Sequence, residues 1–281
     1  KQYTDEARSK NYYVEAMADT LKKAVTRRTR GEHRLGILLS GGQDSRTVLA
    51  AANEKEISVA FTLADFFNQE VQIAQKVANA RACKHVFLPR DLDYYVRLVD
   101  EAVDIGDGMY RFNHAHFLGH LTKMQEESDI LLHGHGLGTL FQGASLPFMA
   151  LSIAGKKITL PRLRRLGRAT LLNALADGLK YNLTVCHLQT LFRQGISSQF
   201  KPSVINSIEQ VLKDDTVYGS NLHNAWDHFV LHSYSNLPAS LNFLCIRAYM
   251  DERTISTDND LFDLYLSMPP QLRLQGQVYR K

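Results

Sequence analysis

Cysteine is scarce in this chain and never clustered. Cys83, Cys186 and Cys245 stand far apart and form no Cys-x-x-Cys pair, which argues against a disulfide framework and a thiolate zinc site and points to a reducing, cytoplasmic setting. No apolar run approaches the roughly 20 residues needed to span a bilayer, and Lys1-Gln-Tyr-Thr-Asp-Glu6 has no signal-peptide core, so no membrane is expected. The chain also lacks an initiator Met, as a fragment of a longer protein would. Neither charge sign dominates: 33 Lys and Arg against 29 Asp and Glu leave a net +4, too mild to mark a nucleic-acid surface. The densest basic stretch, Lys156, Lys157, Arg162, Arg164, Arg165 and Arg168, has no interleaved aromatics and reads as a solvated helix face. Nucleic acid is therefore not an expected partner. What is present is apolar: 44% hydrophobic residues over 281 positions suffice for one large or two modest domains.

The most informative stretch is Leu35-Gly-Ile-Leu-Leu-Ser-Gly-Gly-Gln-Asp-Ser-Arg46. An apolar run delivers a Ser-Gly-Gly-x-Asp-Ser loop directly into the helix-forming Thr47–Ala52. Gly41 and Gly42 remove the Cβ atoms that would hold a phosphate away from backbone N–H groups, and a helix N-terminus favours negative charge where those groups converge. Ser40 and Ser45 add hydroxyl donors. Asp44 would repel a bare phosphate, so it is the expected ligand of a Mg²⁺ bridging phosphate oxygens. No Gly-Lys-Ser/Thr follows, so this is not the Walker loop. It resembles the PP-loop of ATP pyrophosphatases, which split ATP between the α and β phosphates to adenylylate a substrate.

Along the chain, Tyr13, Met17, Leu21, Ala24 and Val25 recur at helical spacing within residues 5–30. Strands are expected at 35–39, 57–62, 85–88 and 129–133, alternating with helices at 69–82, 94–103 and 114–127. Continuous apolar strands separated by helices argue for an α/β fold, a doubly wound parallel sheet covered on both faces. Ligands of such sheets bind beyond the carboxyl ends of the strands, where both glycine-rich stretches fall. From about residue 148 strand signals fade and leucine-rich helical patterns dominate. The expected organisation is an ATP-binding domain over 1–147 and a mainly helical, substrate-side region over 148–281 packed with it as one unit.

Three further segments resemble the synthetase domain of asparagine synthetases and relatives such as β-lactam synthetase. Val59-Ala-Phe-Thr62 with Glu70, Ala74 and Ala78 is similar to the family's second strand and its Glu-containing helix. Leu132-His-Gly-His-Gly-Leu-Gly-Thr-Leu-Phe-Gln-Gly143 keeps the spacing of the family's Gly-Glu-Gly-x-Asp-Glu-Leu-Phe-Gly-Gly loop but not its acids: His135 stands at the first Glu, Gly138 at the metal-binding Asp and Thr139 at the following Glu. Gly134 and Gly136 still allow backbone to approach phosphate. Asp251-Glu-Arg-Thr-Ile-Ser-Thr-Asp258 is similar to the family's Glu-x-Arg-x-Pro-Phe-Leu-Asp, which puts Asp251 at a functional carboxylate, with an ion pair to Arg253 or Arg247 as its structural alternative. Lys281 best matches a later lysine that stabilises charge on departing pyrophosphate, and Arg280 rivals it.

The resemblance implies an adenine nucleotide α-hydrolase-like fold and an ATP- and Mg²⁺-dependent ligase that adenylylates a small-molecule carboxylate for capture by ammonia or an amine. Ammonia would come from a glutaminase domain or subunit. The altered acids predict weaker Mg²⁺ binding and keep a nucleotide-binding pseudoenzyme open as a second reading. A tRNA-modifying PP-loop enzyme is a third, which the basic stretch alone favours. His114, His116 and His120, and the pair His228 and His232, are expected as surface or capping histidines rather than metal ligands.

Overall fold

The computed structural model describes residues 1–31, 33–143, 146–153, 156–178, 194–234 and 239–281. They form two compact units, each discontinuous in sequence. A sheet unit comprises Ser9–Leu140 and Asn236–Tyr265, and a hairpin unit comprises Lys1–Arg8, Phe141–Ser235 and Leu266–Lys281. The compositional shift near residue 148 does not follow this partition, because residues up to Tyr265 return to the sheet unit. Among the described residues no helix is long and apolar enough to cross a membrane.

Strands β1 (Leu35–Leu38), β2 (Val59–Ala64), β3 (Lys84–Pro89), β4 (Ile130–His133) and β7 (Asp251–Thr254) form one sheet in the order β3-β2-β1-β4-β7, with every pair parallel. In the hairpin unit, β5 (Phe148–Ile153) and β6 (Lys156–Leu163) pair antiparallel. Among the described residues the helices are α1 (Lys10–Thr29), α2 (Gln43–Ala51), α3 (Gln69–Ala80), α4 (Tyr94–Arg97), α5 (Val99–Ile105), α6 (Leu121–Glu127), α7 (Leu137–Phe141), α8 (Arg168–Gly178), α9 (Gln194–Val211), α10 (Leu222–Tyr234), α11 (Ala239–Tyr249), α12 (Asn259–Ser267) and α13 (Pro270–Arg273).

The central strands carry apolar residues at both parities because both faces of the sheet are covered. On one face Val59, Phe61, Leu88 and Leu131 pack with Ala102 of α5, Leu121 and Met124 of α6, and Leu241, Cys245 and Ile246 of α11. Residues of the other parity, Ile37, Ala60, Ile130 and Leu132, are equally buried. Helices α2 and α3 contact β1, β2 and β3 without joining the first cluster, so they cover that second face. Each fully buried large apolar side chain in these layers contributes about 1.5–3 kcal/mol.

Helix α1 starts where Ser9 Oγ accepts the Tyr12 N–H at 3.1 Å, a serine N-cap, and buries Tyr13, Met17, Leu21, Ala24 and Val25, the stripe read from the sequence. The chain runs outward through β1, β2 and β3, then crosses to β4 on the far side of β1. That reversal opens a crevice at the carboxyl edge between β1 and β4.

Three expectations need correction. The helix expected over 94–103 is broken at Leu98 (φ −105°, ψ 2°) into α4 and α5. The one expected over 114–127 begins as 3₁₀ turns at Phe112–His114 and Leu118–His120 before α6. Strands do not end at residue 148 either: β5 and β6 follow it, and β7 completes the parallel sheet. Sequence Asp251-Glu-Arg-Thr254 has no apolar signal because β7 is an edge strand whose polar side chains find charged or hydrogen-bonding partners. In the hairpin unit, Leu171, Leu172, Leu175, Ile208, Leu212, Ala225 and Phe229 form a separate helical core. There Arg273 is fully buried and pairs with Asp227 and Asn224.

Candidate active site

The loop after β1 folds onto itself before entering α2. Ser40 N–H donates to Ser45 Oγ at 3.0 Å, the two hydroxyls are 3.1 Å apart, and Gly42 N–H donates to Ser40 Oγ at 3.1 Å. The N-cap of α2 is Gly42, so no side chain closes that helix terminus, and its dipole favours an anion there. Gly41 passes over the start of α3, where a Cβ would lie 3.1 Å from Glu70 Cγ.

The loop after β4 meets this turn from the other side of the crevice. A Cβ on Gly134 would lie 2.7 Å from Asp44 C and O and 3.0 Å from Ser45 N, all backbone atoms, so only glycine lets the two loops touch. Gly136 adopts φ +89°, and a Cβ there would lie 2.6 Å from Ser256 Oγ, the hydroxyl that donates to His135 O at 2.6 Å. Left-handed backbone and a close neighbour both demand glycine at 136. Asp44 accepts the Gly138 N–H at 3.0 Å. The carboxylate is thus tied to the backbone of Gly138 in the facing loop.

A cleft of ≈ 430 Å³ opens at this edge, within the usual range for small-ligand sites. Ser40, Asp44, Ser45 and Gly134 line it, together with Thr62, Leu63, Arg90, His116, His133, His135, Asn242 and Phe243. All belong to the sheet unit. On the β2–β3 side, Arg90 donates to Asp65 at 2.6 Å and to the Tyr95 hydroxyl at 2.5 Å. The Asp65 hydrogen bond raises the Arg90 pKa despite burial. The Tyr95 hydroxyl in turn hydrogen-bonds with His116 Nδ1 at 2.7 Å. Burial, with help from His114 and Arg90, pushes the His116 pKa down to about 4, so this ring is neutral at ordinary pH. His116 is thus part of the cleft wall rather than the surface histidine expected.

On the β4–β7 side, His133 is 3% exposed and stacks on Phe243 with ring centroids 4.6 Å apart. Its Nε2 is in hydrogen-bond contact with Glu252, which also accepts from Arg247 Nε at 2.8 Å. Burial raises the Glu252 pKa, but His133 and Arg247 outweigh it and hold the carboxyl below its ordinary value. Burial lowers the His135 pKa, and the neighbouring His133 adds to this.

Other sequence-selected residues lie elsewhere. Asp251 is exposed, opens β7 opposite Ile130 and does not line the cleft. Side chains alternate along a strand, so it takes the parity opposite to Glu252. The ion pair considered for it with Arg247 belongs to Glu252 instead, and Arg253 donates to the carbonyls of Arg28 and Arg30 at the end of α1. Asp258 accepts from Arg27 through both oxygens and from the Asp260 and Leu261 N–H groups at the start of α12. Lys281 is exposed in the hairpin unit, its N–H donating to Val278 O. His120 contacts Pro89 O through Nε2, while Cys186 and the side chains of Lys156, Lys157 and His232 lie outside what is described.

Sequence reasoning missed Arg90, Asn242 and Phe243, none of which belongs to a local motif, and passed over Glu252 beside the selected Asp251. Among the described residues no group of three His, Cys, Asp or Glu is arranged to hold a metal. A Mg²⁺ ion in this cleft would have Asp44 as its protein carboxylate, with phosphate oxygens and water as the remaining ligands.

No curated protein matches the chain. Among solved structures it is similar to the NH3-dependent NAD synthetase from Campylobacter jejuni subsp. jejuni NCTC 11168 in complex with the nitrate ion, at 13% identity over 87% of this chain and 94% of that one, with a TM-score of 0.31. The profile of the Asparagine synthase family matches residues 16–281. With a match that spans both cleft loops and nearly the whole sequence, the chain belongs to the asparagine synthase family.

Proposed function

We propose that this protein is an ATP-dependent carbon–nitrogen ligase that adenylylates a small-molecule carboxylate, releases pyrophosphate and passes the acyl group to ammonia or an amine. One observation carries the reading: the Ser40–Ser45 turn at the N-terminus of α2 and the Gly134 loop meet at the strand-order reversal and line one cleft. Family membership supports ATP-dependent amide-ligase chemistry in general terms.

In this reading the triphosphate lies against Ser40, Gly41, Gly42 and Ser45, with Gly134 and Gly136 shaping the facing loop. The α2 N-terminus and the serine hydroxyls stabilise charge on the phosphates, preorganised before the reaction. Asp44 would hold Mg²⁺, whose bound charge would neutralise phosphate oxygens. The substrate carboxylate attacks the α phosphorus. The resemblance assigns Lys281 to the charge on departing pyrophosphate. Ammonia from a glutaminase, or another amine, completes the reaction. Most of the acceleration would come from alignment within the cleft.

The nucleotide-binding pseudoenzyme is favoured by a separate observation: Asp44 is hydrogen-bonded to the Gly138 backbone where the family has a second acid. Pyrophosphate release and ATP binding with Mg²⁺, measured over a panel of carboxylates including aspartate and beside Asp44→Ala, separate the two. Release that depends on the acid and is lost in the variant is expected of the ligase. Tight ATP binding with no release from any acid would refute it in favour of the pseudoenzyme.

A further inference from the structure

One polar atom of the cleft wall is buried without a hydrogen-bond partner: Nδ1 of His133. The opposite nitrogen of that ring is fully engaged. Nε2 contacts a Glu252 oxygen and lies 3.1 Å from Thr254 Oγ1, and Thr254 itself donates to Glu252 at 3.2 Å. The glutamate side chain is only 1% exposed, yet Arg247 pairs with its second oxygen and it is held ionised. An ionised carboxylate only accepts, and the threonine proton is already directed to it, so in the neutral ring the imidazole proton sits on Nε2. Nδ1 is then a bare lone pair.

A buried acceptor left unpaired is unfavourable and marks this nitrogen as one that awaits a donor. The site supplies what a base needs: a tautomer locked by a carboxylate that also stabilises the imidazolium once a proton arrives. Its surroundings are Phe243, stacked on the ring, and His135, with ring centroids 6.4 Å away. Asp44 and Arg247 are the remaining charged neighbours, through His135 and Glu252 respectively.

We propose that His133 Nδ1 is the proton acceptor when the amine captures the activated acyl group, with Glu252 as the residue that positions it. The inference rests on the ligase reading above. The amine nitrogen uses its lone pair to form the C–N bond to the acyl carbon, and His133 Nδ1 takes one proton from that nitrogen. The bond between acyl carbon and the AMP oxygen breaks, and AMP leaves with the electron pair. His133 later returns its proton to water.

The test uses the full chain and two separable half-reactions. ATP–pyrophosphate exchange over the carboxylate panel reads adenylation, and amide formation from ammonium chloride with the acid that supports exchange reads capture. Relative to exchange measured on the same protein, His133→Asn should lose amide formation about 10²–10⁴-fold, with partial recovery as pH rises and more ammonia is free. Glu252→Gln should show a smaller loss. On [¹⁵N]histidine-labelled protein, the imidazole spectrum should show a protonated Nε2 and unprotonated Nδ1 for His133, a pattern that Glu252→Gln disturbs. Retained exchange certifies that a variant is folded.

Unchanged amide formation in His133→Asn, equal loss of both half-reactions, or a proton on Nδ1 in the free enzyme would overturn the assignment while leaving the ligase intact. Absence of exchange in the wild type with every acid would instead defeat the ligase reading.

Discussion

Replacing Gly134 by alanine tests whether contact between the two loops builds the nucleotide site. The added methyl would lie 2.7 Å from Asp44 C and O and 3.0 Å from Ser45 N, about 0.7 Å short of an ordinary 3.4 Å contact. No flexible side-chain end can swing away, because every clashing atom is backbone in the first turn of α2. Either that turn or the end of β4 must shift, stretching the 3.0 Å bond from Gly138 N–H to Asp44. Overpacking of this kind costs about 1–3 kcal/mol. Displacing the anion-binding turn by several tenths of an ångström should weaken ATP about tenfold, equivalent to about 1.4 kcal/mol. Pyrophosphate release should fall further, toward about 10²-fold, since reacting groups must stay aligned. Gly167→Ala is the control, because nothing lies within 4 Å of a Cβ there. Differential scanning fluorimetry and calorimetric ATP titration in Mg²⁺ would read both effects. A Gly134→Ala protein with wild-type Tm and ATP affinity would refute the claim that this contact shapes the site.

Two further outcomes follow from the cleft. Asp44→Asn keeps an acceptor for the Gly138 N–H and should leave Tm near wild type, yet weaken ATP about tenfold in Mg²⁺ and little without it; equal affinities in both media for wild type and variant would remove Asp44 as metal ligand. His116, held down to about 4 mainly by burial, makes stability pH-dependent. Below its ordinary value of 6.5 the unfolded chain takes up a proton that the folded ring refuses, so stability falls as pH drops from 6.5 to about 4. The loss attributable to this ring should be on the order of 1–3 kcal/mol, and the Tm of His116→Asn, measured between pH 7 and 4, should fall less steeply than wild type.

How much of this was legible in the sequence depended on whether the physics is local. A phosphate loop must place glycines, hydroxyls and a helix start within a few residues, so Ser40 to Ser45 announced themselves, and apolar β1, β2 and β4 implied a covered parallel sheet. Arg90, His116, Asn242 and Phe243 come together only through the crossovers, and no spacing reveals them. The acid on β7 is the sharpest case. Arg253 and Asp258, which the resemblance sets at the family's Arg and Asp, both serve structure, Arg253 at the end of α1 and Asp258 between Arg27 and the start of α12. An alignment anchored on them reads Asp251 as the functional carboxylate. In a strand, however, a step of one residue moves a side chain through the sheet, and the fold puts Asp251 on one parity and Glu252 on the other, beside His133. The carboxylate beside His133 therefore comes from the position next to the one that the resemblance marks. The family pattern gave no reason to pair that position with a histidine at the end of β4, because the pairing exists only once β4 and β7 lie side by side.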